Sequence, residues 1–207
     1  AIDNPNVMDK EAASMALRAF LALYDADESK QWMQAAVQTA YFYQTWVVSK
    51  DIPIPTDDST VVFPAHRSVV GQSLIATGHS AADTYADIDA FSFYRVYLLM
   101  GDKQMLHMSK LLQRNTKQFM NWDLENDPLK WIGEGLLGEA MNISITRGRG
   151  VNYYLPWSTY NQLEPLVLFE DVFGHKVVPD LSRRSSTVFT GLHCTSGARA
   201  RRRVLFS

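Results

Sequence analysis

The sequence predicts an all-α fold built from helical-hairpin repeats, stacked as a solenoid or closed into a ring, with a short irregular tail. Three observations predict it. Apolar residues recur at helical spacing in paired segments. Short Gly-, Asp- or Ser-bearing turns separate the members of each pair. The pairs also align with one another at an offset of 73 residues, which marks repeated structure.

The stretch from His79 to Met120 shows the pattern best. A polar loop carries His79 and Asp83 beside Gly78 and Ser80, and from about Asp83 the chain reads as helix. Ala90, Phe93, Tyr94, Tyr97 and Leu98 share one face, Gly101 stops the helix and Asp102 can cap the next. Met105, Met108, Leu111 and Leu112 form that second helix's stripe.

Upstream, a first helix after Asn6 or Asp9 has a stripe of Ala12, Met15, Ala16, Ala19, Phe20 and Leu23. A turn ends at the N-cap candidate Ser29, and a second helix to about Ser49 buries Trp32, Ala36, Val37, Ala40, Tyr41 and Val47. Residues 51–64 hold three prolines and read as a long loop. Val69 to Ala76 reads as a helix turn or two, and Trp131 to Met141 as a short helix weakened by Gly133, Gly135 and Gly138. A last helix is expected from about Ser158 to Phe173. The offset of 73 pairs Tyr24 with Tyr97, Ser29 with Asp102 and Phe20 with Phe93. It also carries Phe93 to Leu166 and Gly101 to Gly174, so a third hairpin begins and is not completed.

Residues 1–177 therefore read as one domain of hairpin repeats, which the family resemblance given below makes a partial α/α toroid, and residues 178–207 as a basic irregular tail. The chain has 207 residues, 46% of them hydrophobic, enough for a full core. Its net charge is −2, with +5 carried by the tail and −7 by the rest, so the folded part is acidic and nucleic acid is not an expected partner. No run approaches the roughly 18 to 20 apolar residues of a membrane span. The single cysteine, Cys194, excludes an internal disulfide and a cysteine-based metal cluster. The first residues show no signal-peptide pattern and no initiator Met, which reads as a cut or processed end. The tail, with Pro179, a serine cluster and scattered arginines, is unlike the body of the chain and reads either as short strands at Val188 to Cys194 and Arg203 to Ser207 or as non-native sequence.

Several stretches carry a family resemblance. They are Thr77-Gly78-His79-Ser80 with Asp83, the Tyr97-Leu98 to Gly101-Asp102 turn, Asn115 to Gln118 and Glu139-Ala140-Met141. Arg147-Gly148-Arg149-Gly150 through Leu155-Pro156-Trp157 to Glu164-Pro165-Leu166 completes the set. Together they resemble the six-hairpin glycosidases, in particular glycoside-hydrolase-like proteins of gut Bacteroidetes, over residues 9 to 177. The resemblance implies a ring of six hairpins with a sugar site in the funnel at one end, of which this chain holds about half. It implies a glycoside hydrolase, or the C-terminal part of one, in the periplasm or outside the cell.

Glycoside hydrolysis needs two carboxyl groups flanking the scissile bond. Asp83, Glu134 and Glu139 are the candidates, with Asp83 and Asp87 expected on one helix face and Asp89 beside them. Acids at a helix start are equally explained by its dipole, and the glutamates by a solvated face. His79 is placed to bond a sugar hydroxyl or orient Asp83, or to serve structure alone. Arg147 and Arg149 suit a bidentate grip on a uronic-acid carboxylate, and Tyr153 and Trp157 offer flat faces for a sugar ring. No cofactor is expected, and His66, His107 and His175 lack metal-ligand spacing. The alternative to an enzyme is a non-catalytic helical-repeat module that binds glycan or protein. Half a ring leaves apolar faces around Phe20 and Trp32 and around Leu163 and Val167. Carbohydrate is the expected ligand. A homo-oligomer is also expected, as a two-fold dimer joining the same patch of each copy, or else a contact with a missing N-terminal part.

Overall fold

The computed structural model describes residues 8–50, 70–74, 81–83, 86–115, 140–142 and 156–173. Most of these are helical. In chain order they form α1 (Lys10–Asp27), α2 (Lys30–Gln44), α3 (Ala90–Met100), α4 (Lys103–Asn115) and α5 (Pro156–Phe173). Three very short strands, β1 (Ser73–Leu74), β2 (Ala81–Asp83) and β3 (Ala140–Asn142), and one 3-10 turn, Ala86–Asp89, complete them. The all-α expectation holds for the described part.

α1 starts where Asp9 accepts a hydrogen bond from the Glu11 N–H at 2.7 Å, satisfying one of the orphan donors of the first turn. It ends at Glu28, which takes a left-handed φ of 53° so that its N–H returns to the Tyr24 carbonyl at 2.7 Å. α3 ends in the same way. Gly101 has φ 72°, and its N–H donates to the Tyr97 carbonyl at 2.7 Å. Glycine adopts this conformation without a Cβ clash; a glutamate does so at some cost. Asp102 then caps α4 as the sequence suggests, accepting from the Gln104 N–H at 2.8 Å. Ser29 occupies the matching cap position of α2 but makes no side-chain cap bond. Asp27 holds that turn instead, accepting from the Ser29 N–H and from the Trp32 indole.

The core lies where the two hairpins and α5 meet. Tyr43 of α2 meets Phe93 of α3 edge-on at 5.2 Å, and Phe169 of α5 packs at 5.2 Å on Phe91 and 5.4 Å on Tyr94. Leu17, Leu21, Met105 and Leu112 fill the space between. Each such side chain contributes about 1.5–3 kcal/mol by leaving water.

The stripe of α1 is rotated from the expected one. Ala13, Leu17 and Leu21 are buried, whereas Met15 is 57% and Leu23 41% exposed, with Ala12 and Ala19 also exposed. Phe20 and Trp32 are half-buried and stacked on each other at 6.0 Å. Leu163 and Val167 are exposed, as expected of an unpaired helix face. In α2, Tyr41 is exposed and Tyr43 takes the core position; the helix ends at Gln44 rather than near Ser49.

Two expected helical pieces are strand. Ser73 and Leu74, inside the stretch expected to make a helix turn, form β1, and Ala140 and Met141, expected in a short helix, belong to β3. The reason at β1 is local. Gly71, with φ 94°, lets the chain press against α4, where an added Cβ would stand 2.8 Å from the Asn115 Cβ. The chain then zips along the end of α2. Gly71 N–H donates to the Val48 carbonyl, Val48 N–H to Gln72, and Leu74 N–H to Trp46. The 51–64 loop and the 178–207 tail lie outside the described residues.

Candidate functional site

The three strands form one antiparallel ribbon in the order β1-β2-β3. Asp83 sits on the central strand, with Ser73 opposite it on one side and Ala140 on the other. Val47 bridges to Ser73, so the ribbon is anchored on the end of α2. Cα atoms paired across an antiparallel ladder lie about 4.5–5.5 Å apart. Two segments named from the sequence, the His79–Asp83 stretch and Glu139-Ala140-Met141, thus enter one ladder.

This placement corrects the expected setting of Asp83. It lies in extended backbone, not at a helix start, and helix α3 begins only at Ala90 after the 3-10 turn. The i, i+4 relation between Asp83 and Asp87 therefore gives them no shared helix face. Pairing with both neighbouring strands outweighs the weak strand preference of Ala81-Ala82-Asp83.

Asp87 and Asp89 do stand before α3, and both are buried. Asp89 occupies the N-cap position yet makes no cap bond. Its carboxylate instead accepts from Arg18 Nε of α1 at 3.1 Å. The same guanidinium donates to the Ile88 carbonyl at 2.9 Å and to both oxygens of Glu164 on α5 at 3.3 Å. One arginine thus ties α1, the 3-10 turn and α5 together. Burial disfavours the charge of Arg18, but the Asp89 and Glu164 carboxylates outweigh that effect and raise its pKa above the ordinary value. Sequence reasoning missed this cluster. The one signal that pointed to it is positional: Arg18 and Glu164 are 146 residues apart, twice the hairpin offset.

A second group of polar side chains lies beside the ribbon. Gln72 is wholly buried and neither end of its amide is hydrogen-bonded; the same holds for the Trp46 indole N–H. Both residues belong to the backbone ladder that carries β1. Such buried groups are a cost to the fold and are not reached from solvent.

Of the other residues singled out in the sequence, Trp157 falls in the first turn of α5. His79, Glu134, Glu139, Arg147, Arg149 and Tyr153 lie outside the described residues. Among the described residues no group of three His, Cys, Asp or Glu side chains is placed to hold a metal ion. No helix of the described residues is long and apolar enough to cross a membrane. Comparison of the chain with protein-family models, with curated proteins and with solved structures gives no match.

Proposed function

We propose that the protein is a glycoside hydrolase, or a part of one, in which Asp83 and Glu139 are the carboxyl pair. The observation that carries this reading is the pairing of β2 with β3, which joins the two acid-bearing stretches in one ladder. Side chains alternate along a strand and Asp83 shares its face with Ala140, so the reading requires Glu139 to leave that alternation. One carboxyl would protonate the leaving oxygen while the other acts as base or nucleophile. Glu134 is the alternative second acid. His79 would orient the Asp83 carboxyl or a sugar hydroxyl, and Arg147 and Arg149 would hold the carboxylate of a uronic acid. Tyr153 and Trp157 would stack on sugar rings. Assembly of the hairpins into part of an α/α toroid belongs to the same reading, supported by the matched turns at Glu28 and Gly101.

A specific observation also supports the second reading, a module that binds glycan or protein without cleaving it. The two carboxylates brought together among the described residues, Asp89 and Glu164, share Arg18 between them. Carboxyl groups engaged by one guanidinium serve to hold elements together rather than to meet a substrate.

The test is release of reducing ends from a panel of oligosaccharides that includes uronic-acid polymers, alongside calorimetric binding. Turnover that Asp83→Asn and Glu139→Gln each reduce by roughly a thousandfold, with the circular dichroism unchanged, is the expected result. Binding without turnover in the unaltered protein selects the module. Neither binding nor turnover across the panel removes the carbohydrate reading.

A further inference from the structure

Helices α1, α3 and α5 can be overlaid by position, because α1 and α3 end 73 residues apart and α5 repeats the span of α1 146 residues later. Their burial then reads as a sequence of matching faces. On α3, in the middle, Ala90 and Tyr94 are buried, and so are Ser92 and Val96. On α1 the matches of Ala90 and Tyr94, Leu17 and Leu21, are buried, while those of Ser92 and Val96, Ala19 and Leu23, are exposed. On α5 the pattern reverses. Pro165 and Phe169, matching Ser92 and Val96, are buried, whereas Leu163 and Val167, matching Ala90 and Tyr94, are exposed.

Each of these helices thus has a forward face and a backward face. The forward face of α3 packs on the backward face of α5, with Tyr94 against Phe169 at 5.4 Å. The side of α1 bearing Arg18 is tied to the 3-10 turn ahead of α3 by the ion pair with Asp89. What remains uncovered is a backward face on α1 and a forward face on α5. Both are apolar: Met15 and Leu23 are 57% and 41% exposed, Leu163 and Val167 55% and 47%. They are different surfaces, and the chain already shows how such surfaces fit together.

We propose that the α5 face of one copy receives the α1 face of a second copy, head to tail, continuing the internal α3–α5 contact across the junction. Leu23 of the incoming copy then meets Val167 where Phe169 meets Tyr94 inside the chain. This is a heterologous contact, unlike the same-patch dimer expected from sequence, and it closes into a ring of copies or extends as a chain of them. It does not depend on the glycan reading.

The test uses the full chain in sedimentation equilibrium at micromolar concentration. One variant carries Leu163→Glu and Val167→Glu, the other Met15→Glu and Leu23→Glu. The unaltered protein should self-associate, and each variant alone should do so at least about tenfold more weakly, since charges at the centre of an apolar contact are left unpaired. An equimolar mixture of the two variants should form a one-to-one dimer, because a single unaltered α5–α1 junction survives between them. A monomeric unaltered protein overturns the proposal. So does an α1 variant that associates like the unaltered chain, or a mixture that stays monomeric. If the glutamate variants lose their helical signal, a second measurement decides. Chains with Cys194→Ser and either Leu23→Cys or Val167→Cys should be joined by a short bis-maleimide only when mixed. Cross-linking of either chain with itself at equal yield refutes the head-to-tail contact.

Discussion

Replacing Arg18 by methionine should destabilise the protein more than any other single change at its surface. The substitution keeps much of the aliphatic length and removes the charge and the hydrogen bonds to Asp89, Ile88 and Glu164. The Asp89 side chain has no solvent exposure, so it is left buried and without its guanidinium partner. Breaking a fully buried pair in this way costs about 3–5 kcal/mol. Here the side chains of Arg18 and Glu164 are 28% and 23% exposed, and water reaches that side of the cluster. Solvent screening lowers the expected loss to about 2–3 kcal/mol. For a chain of this size that is a fall of roughly 5–10 °C in Tm. Urea denaturation followed by circular dichroism measures it directly. Glu164→Gln, which leaves the Arg18–Asp89 pair in place, should cost less than about 1 kcal/mol. Arg18→Met combined with Asp89→Asn should lose about 1–2 kcal/mol less than the two changes added separately. If Arg18→Met lies within about 0.5 kcal/mol of the unaltered protein, the size of an ordinary surface substitution, the three-way tie does not stabilise the fold.

Other expectations follow from the turns and from one exposed hydrogen bond. Glu28→Gly should stabilise by about 0.5–1 kcal/mol in thermal unfolding, because Glu28 holds φ 53°, whereas Gly101→Ala, at φ 72° with open space around it, should cost about 1 kcal/mol. Gly71→Ala should cost about 2–3 kcal/mol in the same assay, since φ 94° is combined with contacts of 2.8 Å to the Asn115 Cβ and 2.9 Å to the Leu111 carbonyl. The Tyr41 hydroxyl and then the Gln104 N–H hold the Asp102 carboxyl below its ordinary pKa, so its contribution is complete above the usual carboxylate range and fades as pH falls through the lowered value. The Tm difference between Tyr41→Phe and the unaltered protein should accordingly narrow as the pH drops below about 4; a gap that stays constant to pH 2 removes that account.

The hairpins were legible because their signals are local. Gly101, Asp102 and the apolar spacing of Phe93, Tyr94 and Tyr97 lie within a few residues of one another. The buried side of α1 was not legible, since that helix is apolar on two faces and nothing within it says which one meets α2 and α3. Of the face chosen from the sequence, Ala12, Met15, Ala19 and Leu23 are exposed and Ala16 and Phe20 are half-buried. The ribbon was missed because strands of two or three residues show no alternation, and Ala81-Ala82 has little strand preference. The Arg18 cluster joins residues 71 and 146 positions apart, beyond the reach of helical spacing, and the repeat offset alone relates Arg18 to Glu164. Of the candidate site, the pairing of Ala81–Asp83 with Ala140–Asn142 was not legible. Their register is set by backbone pairing that no side-chain pattern encodes.

The ribbon also bears on the order in which the molecule is built. The α1–α2 and α3–α4 hairpins close over two-residue turns and form from neighbours in sequence. The pairing of β2 with β3 brings Asp83 to Ala140 across a long intervening stretch, and only three residue pairs compensate for the chain entropy lost in closing that loop. The ladder therefore gains stability only once both hairpins are docked and their ends stand still. The strands should therefore assemble last and open first, with amide exchange at residues 81–83 and 140–142 outrunning that of Phe93 or Leu17 while the helices stay closed.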